Sequence, residues 1–237
     1  MGRVYARAGD FAAAVKKGEV ALAVVDAAYL ASVGGNYTVI AGAVRGGETN
    51  HAWQLVARGG GKIAELKNKR VLVASTGGRE VDFVLDVLLA GEVAPDFFAR
   101  IDAAPDSGSA LAALALGKAD AAVVPAGVDL PAGSSAVLAL ASLPGAVLVA
   151  YGSVTATQRA ALVAAAGSFH GDSTIAGFRR LDGDAVKAVA RRFTATVKRG
   201  PFAIAAVRVL VGDLVETRTF TIERTPVTTF ALAPPAR

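Results

Sequence analysis

RVLVASTGGREVDFVLDVLLAG, residues Arg70–Gly91, predicts a buried strand, a turn and a helix in succession. Arg70–Ala74 is short, apolar and rich in valine, which is typical of a strand covered on both faces. The apolar residues from 81 to 89 recur at helical spacing, and Gly91 follows where a helix commonly ends. Small residues in a turn at a helix N-terminus leave backbone N–H groups free to bind an anion. We therefore expect ligand contacts from the STGG turn, which comprises Ser75, Thr76, Gly77 and Gly78. A turn that only caps its own helix would have the same sequence, so both interpretations stay open.

Composition narrows the possible functions. A chain of 237 residues that is 53% apolar and 19% charged is long enough to bury a core as one large or two small domains. It has no cysteine, which excludes disulfides, thiolate catalysis and zinc–thiolate sites. The net charge of +5 comes from scattered basic residues with few aromatics between them, so we expect no nucleic-acid partner. The two histidines, His51 and His170, lack metal-ligand spacing, so we expect no metal and no cofactor.

Two features bear on membranes and export. Leu130–Gln158 carries no charge, but Pro144 and Gly145 interrupt it, and two short strands, Ala136–Ala141 and Ala146–Ala150, explain it better than a membrane span. No apolar segment typical of a signal sequence follows Met1.

Strands and helices alternate along most of the chain, which predicts an α/β protein with a mostly parallel sheet and helices on both faces. Two segments, AAAVKKGEVALAVVDAA and LAALALGKADAAVVPAG, align at an offset of 99 residues. The alignment matches Gly18 with Gly117, and it matches Asp10 with Ser109 as predicted helix caps. The segments represent either one unit used in two lobes or the ordinary helix–glycine–strand pattern of an alanine-rich chain.

Several runs together resemble a known family. They are AAAVKKGEVALAVVDAAYLAS, KIAELKNKRVLVASTGGREVDFVLDVLLAGEVAPDFF, SGSALAALALGKADAAVVPAG and LPGAVLVAYGSVTATQRAALVAA followed by GFRRLD. Their order is similar to that of type 2 periplasmic solute-binding proteins, and most similar to the phosphonate- and phosphite-binding components of ABC importers. The resemblance extends from about Tyr5 to Phe193.

The resemblance implies a two-lobe α/β fold whose lobes close on a ligand. Residues 1–55 and 145–193 would form lobe one, and residues 56–144 would form lobe two. Ser75, Thr76 and Gly77 would donate to an oxyanion, with Ser107 and Ser109 facing them. Further ligand contacts would come from the other lobe and from the crossing segment, at Asp26, Tyr29, Thr49 and His51. Asp26 has a second interpretation, because a carboxylate after a strand also caps the following helix.

The implied function is non-catalytic binding of a small phosphonate- or phosphate-like anion, in the periplasm, with an ABC transporter membrane component as partner. A reused fold with an empty cleft, acting as a structural or interaction subunit, is the alternative. A serine hydrolase is less favoured: VASTG approaches a nucleophile elbow and Ser75, Asp129 and His170 have the expected order, but Val73 replaces the first elbow glycine.

The end of the chain predicts a β-rich C-terminal extension, residues 194–237. Phe202–Val211, Arg218–Glu223 and Val227–Leu232 are strand-like. Because an exposed sheet edge recruits further strands, we expect part of residues 202–232 to pair with the N-terminal lobe or with another protein subunit.

Overall fold

The computed structural model describes residues 2–5, 7–172 and 174–195, which all lie in one compact unit spanning residues 1–203. The strands predicted between residues 202 and 232, and with them the C-terminal extension, lie outside the described residues. The strands are β1 (Leu22–Asp26), β2 (Tyr37–Val44), β3 (Asn50–Arg58), β4 (Arg70–Ala74), β5 (Arg100–Ala104), β6 (Ala121–Pro125), β7 (Ser134–Pro144), β8 (Ala146–Tyr151) and β9 (Gly177–Arg179). The helices are α1 (Ala8–Lys16), α2 (Ala27–Val33), α3 (Glu80–Asp82, continued by a π-helix, Phe83–Leu88), α4 (Ser107–Ala115), α5 (Ala156–Gly167) and α6 (Gly183–Thr194), with a 3-10 turn at Ile63–Leu66.

These strands form two sheets. The first sheet has the order β1-β8-β2-β9, and all of its pairs are antiparallel. The second has the order β5-β4-β6-β3-β7; β4 pairs in parallel with β5 and β6, whereas β3 is antiparallel to β6 and β7. The two-sheet α/β architecture agrees with the predicted fold class, but the prediction of a mostly parallel sheet is wrong. The alternation of strands and helices could not show that β8 returns from the second sheet to lie between β1 and β2.

The chain crosses between the sheets at residues 45–49 and again at Gly145. These crossings touch: the Gly145 N–H donates to the Thr49 carbonyl oxygen at 2.8 Å, and the Gly145 carbonyl accepts from the Ala27 N–H at 3.1 Å. The charge-free segment does form two strands, β7 and β8, but they belong to different sheets rather than to one hairpin. The lobe boundary predicted at residues 55/56 falls inside β3, which begins at Asn50. Within the described ranges, every helix is too short or too polar to cross a membrane.

One continuous apolar core contains residues from both sheets, including Val149 of β8 and Val123 of β6. Helix α6 contributes its buried face to this core, and its last large apolar residue, Phe193, stacks on Phe83 with ring centroids 6.0 Å apart. Aromatic pairs of this kind contribute about 0.5–1.5 kcal/mol beyond burial alone. The sheets are therefore joined by packed side chains as well as by the two crossings.

The repeat at an offset of 99 residues is a structural repeat. Helices α1 and α4 are both nine residues long, β1 and β6 are both five, and each boundary is displaced by 99 positions. Gly18 and Gly117 both adopt positive φ, at 73° and 69°, which favours glycine after a helix. The predicted caps are wrong, however, because both helices begin earlier than expected. Asp10 and Ser109 each lie at the third helical position, and the N-cap residues are Arg7 and Asp106.

Candidate functional site

The STGG turn lies where the parallel strands of the second sheet end. It follows β4 directly, and the Ser75 N–H donates to the Ala104 carbonyl oxygen at the end of β5 at 2.9 Å. Helix α4 starts at Ser107, three residues after β5, and so belongs to the same sheet edge. Open α/β sheets bind ligands at this edge.

A carboxylate of the chain itself occupies this turn. Glu80 Oε1 accepts hydrogen bonds from Ser75 Oγ at 3.2 Å, from the Thr76 N–H at 2.9 Å and from the Gly78 N–H at 3.1 Å. Partial burial acts to raise the pKa of Glu80, but hydrogen bonds from its own backbone N–H and from the three donors of the turn prevail and lower it below its ordinary value. Three donors of the turn, from Ser75, Thr76 and Gly78, therefore face Glu80, the first residue of α3. Ligand binding by the STGG turn stays a prediction.

Two glycines give the turn its shape. Gly77 and Gly78 have φ angles of 84° and 93°, where other residues are strained. Gly77 also packs against α2: a Cβ atom there would lie 2.5 Å from Val33 Cγ1 and 3.3 Å from the Tyr29 ring. The turn of the second sheet and the helix that follows β1 are therefore in direct contact.

Asp26 ends β1 and caps α2. Its Oδ1 accepts from the Ala28 N–H at 2.8 Å and from the Tyr29 N–H at 3.3 Å. Desolvation by the surrounding protein raises the pKa of Asp26, whereas these two hydrogen bonds and the charge of His51 act to lower it. The residue nevertheless keeps exposed surface, because it opens into a cavity. Asp26 is therefore a helix cap that also faces open space, and its contact with a ligand stays a prediction.

Thr49 and His51 lie at the crossing. Thr49 contributes its carbonyl oxygen to Gly145, and a side chain at position 145 would collide with the His51 imidazole. Partial burial lowers the pKa of His51, the charge of Arg45 lowers it further, and Asp26 acts in the opposite direction. Thr49, His51 and Asp26 therefore lie close together around Gly145.

Ser107 and Ser109 stand apart from this group. Both are half-buried in the first turn of α4, where the Ser109 N–H donates to Asp106 Oδ1. The structure brings them to the sheet edge that carries Ser75, but they do not line the cavity that Asp26 faces. They are not the caps of this helix, a role that belongs to Asp106.

A cavity of ≈850 Å³ brings three of the expected residues together. Asp26 and Tyr29 line it from the first sheet's side, and Ser75 lines it from the second. Arg3, Arg7 and Glu19 line it too, and Arg3 lies 3.9 Å from the Glu19 carboxylate. Tyr29 is buried and donates its hydroxyl to the Ala8 carbonyl oxygen at 3.4 Å. This volume is sufficient for a small organic ligand.

Sequence reasoning missed two acidic residues, Glu80 and Asp106. Like Asp26, whose capping role was expected, each accepts hydrogen bonds from backbone N–H groups that an anion could otherwise use. The available signal was an acidic residue at or just inside a predicted helix start, which the helix dipole favours. Arg79, which follows the STGG turn, pairs with the Asp82 carboxylate and donates to the Phe193 carbonyl oxygen.

The contacts in the described residues form neither a triad nor a metal site. Ser75 Oγ donates to Glu80, and His170 Nδ1 lies 2.9 Å from the Ser168 carbonyl oxygen, so the described hydrogen bonds do not join serine to histidine. Across the same residues, no group of three or more histidine, aspartate or glutamate side chains could hold a metal ion.

Comparisons with known proteins give a consistent picture. No protein-family model matches the chain, and no curated protein matches it in sequence. Among solved structures, XAC2383 from Xanthomonas citri, determined with chloride, has a TM-score of 0.62 at 14% identity over 78% of this chain and 81% of its own. PhnD1 from Prochlorococcus marinus, in complex with methylphosphonate, has a TM-score of 0.61 at 13% identity over 81% and 83%.

A binding-protein component of an ABC phosphonate transporter from Pseudomonas aeruginosa is similar as well. Its TM-score is 0.57 at 14% identity, over 78% of this chain and 71% of its own. At such identities the likeness concerns the backbone architecture. The chain has the two-lobe α/β fold of type 2 periplasmic binding proteins, as found in phosphonate-binding components of ABC transporters.

Proposed function

We propose that this protein is a non-catalytic solute-binding protein that takes a small oxyanion into the cavity between its two sheets. The observation that carries the proposal is a cavity of ligand size that Asp26 and Tyr29 line together with Ser75. Its other lining residues lie between residues 2 and 25, so the second sheet contributes to the lining through Ser75. A binding protein of this fold needs contacts from both lobes to close on its ligand. PhnD1, which has the same fold, is solved in complex with methylphosphonate, so we take a phosphonate- or phosphate-like anion as the ligand class.

The charges around the cavity suggest how the ligand is oriented. Arg3 and Arg7 attract an anion, whereas the carboxylates of Asp26 and Glu19 repel one, and Glu19 lies 3.9 Å from the Arg3 guanidinium. We place the oxyanion near Ser75 because the STGG turn supplies hydrogen-bond donors, which the Glu80 carboxylate occupies in this structure. The rest of the ligand would extend toward Asp26 and Tyr29. Thr49 and His51 at the crossing, and Ser107 and Ser109 at the sheet edge, do not line this cavity, so their contacts with the ligand stay predictions.

The absence of a serine–histidine contact in the described residues agrees with binding without turnover. By analogy with the Pseudomonas aeruginosa component, we propose the membrane component of an ABC uptake system as the partner. The family resemblance of the sequence implies the periplasm as the location.

Titration calorimetry of the full chain in chloride-free buffer tests the proposal, with methylphosphonate, inorganic phosphate and sulfate as probes. We expect saturable binding of at least one probe, weakened about tenfold or more by S75A, because a hydrogen bond to a charged group contributes about 1.5–3 kcal/mol. S168A is the matched control, since Ser168 is an exposed serine at the end of α5. Turnover of an activated ester that S75A abolishes would instead establish a hydrolase.

A second function, that of an interaction subunit, is favoured by the edge of the first sheet. In the described residues β1 pairs only with β8, and the side chains of Leu22 and Val24 are 46% and 44% exposed. Such an edge, without lysine, proline or a bulge, readily accepts another strand. Sedimentation velocity distinguishes the two functions: a stable oligomer that V24K dissociates would support the subunit, and a monomer that binds the anion would support the transport function.

A further inference from the structure

The STGG turn has the geometry of an anion-binding site, and the carboxylate of Glu80 occupies it. The donors come from the Ser75 hydroxyl and from the Thr76 and Gly78 N–H groups, at 2.9–3.2 Å from one oxygen of Glu80. Successive backbone N–H groups that converge in this way form an anion-binding concavity. Its occupant is already a negatively charged oxygen, in the geometry that an oxyanion ligand would adopt.

A second observation is that the Thr76 hydroxyl does not bind the Glu80 carboxylate or any other acceptor in the described residues. Thr76 is only 4% exposed, and its hydroxyl is buried without a hydrogen-bond partner in the described part of the chain. Buried polar groups are rarely left unpaired, and each such case calls for an explanation. Glu80 uses a single oxygen for three donors, whereas a tetrahedral oxyanion carries several acceptor oxygens. A missing acceptor in this turn would account for the unpaired hydroxyl.

Glu80 is also able to leave. Its side chain is only partly buried, and it lies at the first residue of α3, where a change of rotamer does not break the helix. The Gly77 backbone, by contrast, is held against Val33 and Tyr29. The donors are therefore fixed while the carboxylate that they bind is on a flexible side chain.

We propose that Glu80 is an internal competitor for the oxyanion site, so that a ligand binds at the STGG turn only by displacing the Glu80 carboxylate. The proposal rests on the proposed function and adds to it a residue that sets affinity and specificity. Weak binders do not displace Glu80, and an oxyanion that also engages Thr76 does.

The test compares wild-type protein with E80A by titration calorimetry of the full chain with methylphosphonate in chloride-free buffer. We expect E80A to bind about tenfold or more tightly than wild type, because the internal competitor is gone. E92A is the matched control: Glu92 is an exposed glutamate beyond the π-helix, and its removal leaves the affinity unchanged.

Each outcome supports or overturns a separate claim. If wild type binds and E80A binds no more tightly, Glu80 is only a helix cap and this inference fails while the proposed function stands. Binding by E80A alone supports the inference. If neither protein binds methylphosphonate, phosphate or sulfate, the proposed function fails, and the inference fails with it.

If E80A is too unstable for calorimetry, the rise in Tm on addition of methylphosphonate tests the same inference. E80A has unsatisfied donors in the turn, so we expect a lower Tm than wild type in the absence of anions and a larger rise in Tm on addition of methylphosphonate. The E80Q variant, which keeps an acceptor oxygen without the charge, provides a folded intermediate case. Equal rises in Tm for wild type, E80Q and E80A would overturn the inference.

Discussion

The guanidinium of Arg79 donates a hydrogen bond to the carbonyl oxygen of Phe193 at 2.8 Å and lies 4.8 Å from the centre of the Phe193 ring. One arginine thus binds both the backbone and the side chain at the end of α6. Because Arg79 directly follows the STGG turn, this contact fixes the turn of the second sheet to the last described helix. The Asp82 carboxylate, 2.8 Å from Arg79 Nη2, holds the guanidinium in position.

Loss of this contact should destabilise the protein. We expect R79A to lower the free energy of unfolding by about 2 kcal/mol, the sum expected for a charge-assisted hydrogen bond and a cation–π contact. R79K keeps the charge but loses the planar fork, so it should recover only part of the loss. Urea unfolding measures both variants, with R192A on the exposed side of α6 as the control. Equal stabilities of R79A and R192A would show that the contact contributes nothing.

The two glycines of the turn allow steric and conformational costs to be separated. Both have positive φ, so G77A and G78A should each cost about 1–3 kcal/mol in backbone strain. Only at Gly77 does a new Cβ atom approach Val33, whereas nothing lies within 4 Å of a Cβ atom at Gly78. G77A should therefore be the more destabilised in urea unfolding. In a V33A background the Val33 contact is absent, so the loss of stability caused by G77A there should equal the loss caused by G78A in the wild type. If G77A and G78A are equally stable, the described packing of the turn on α2 is incorrect.

The two repeated helices provide a matched test of capping. D106A removes the acceptor for the Ser109 N–H and should cost about 1 kcal/mol. D10A changes the residue that the sequence had predicted as a cap, but Asp10 lies inside α1 and the side chain of Arg7 forms no cap hydrogen bond there. We expect D10A to change the stability by less than about 0.5 kcal/mol. A larger loss for D10A than for D106A in thermal unfolding would reverse this assignment.

The Glu80 carboxylate should make stability depend on pH in a defined direction. A carboxylate whose pKa is lower in the folded state adds stability above its ordinary pKa of 4.5, and this stability is lost as the pH falls through the folded value. E80Q is an uncharged analogue of the protonated side chain. The difference in Tm between wild type and E80Q should therefore be largest at neutral pH and should decrease as the pH falls below 4.5, with E92Q as the control. A difference that stays constant down to about pH 3 would contradict the assigned hydrogen bonds.

Local patterns in the sequence predicted the elements well, because they depend on the chain nearby. The strand at Arg70–Ala74 has its predicted bounds, since a short valine-rich run between turn residues satisfies strand geometry by itself. The helix after the turn was predicted as one α-helix, but it becomes π-helical at Phe83. Its apolar residues face a core shared by both sheets, and local spacing carries no information about that packing.

The sequence indicated where the site would lie, but not which group accepts the hydrogen bonds of the STGG turn. We expected the end of β4 and the end of β1 to contribute to one cleft, and Ser75 and Asp26 line one cavity. Their contacts with a ligand stay a prediction. Which group accepts from these N–H donors depends on how far a side chain reaches across the turn, and the sequence pattern does not specify that distance. Glu80 is five residues from Ser75, beyond the spacing of the usual capping box.

The strand order of the first sheet has a consequence for synthesis on the ribosome. β8 lies between β1 and β2, so these two early strands have no partner until residues 146–151 have emerged. The second sheet, by contrast, is encoded without interruption from Asn50 to Pro144 and can assemble first. The N-terminal strands must therefore wait with apolar surface uncovered, and a chaperone that binds nascent chains would act on them during that interval.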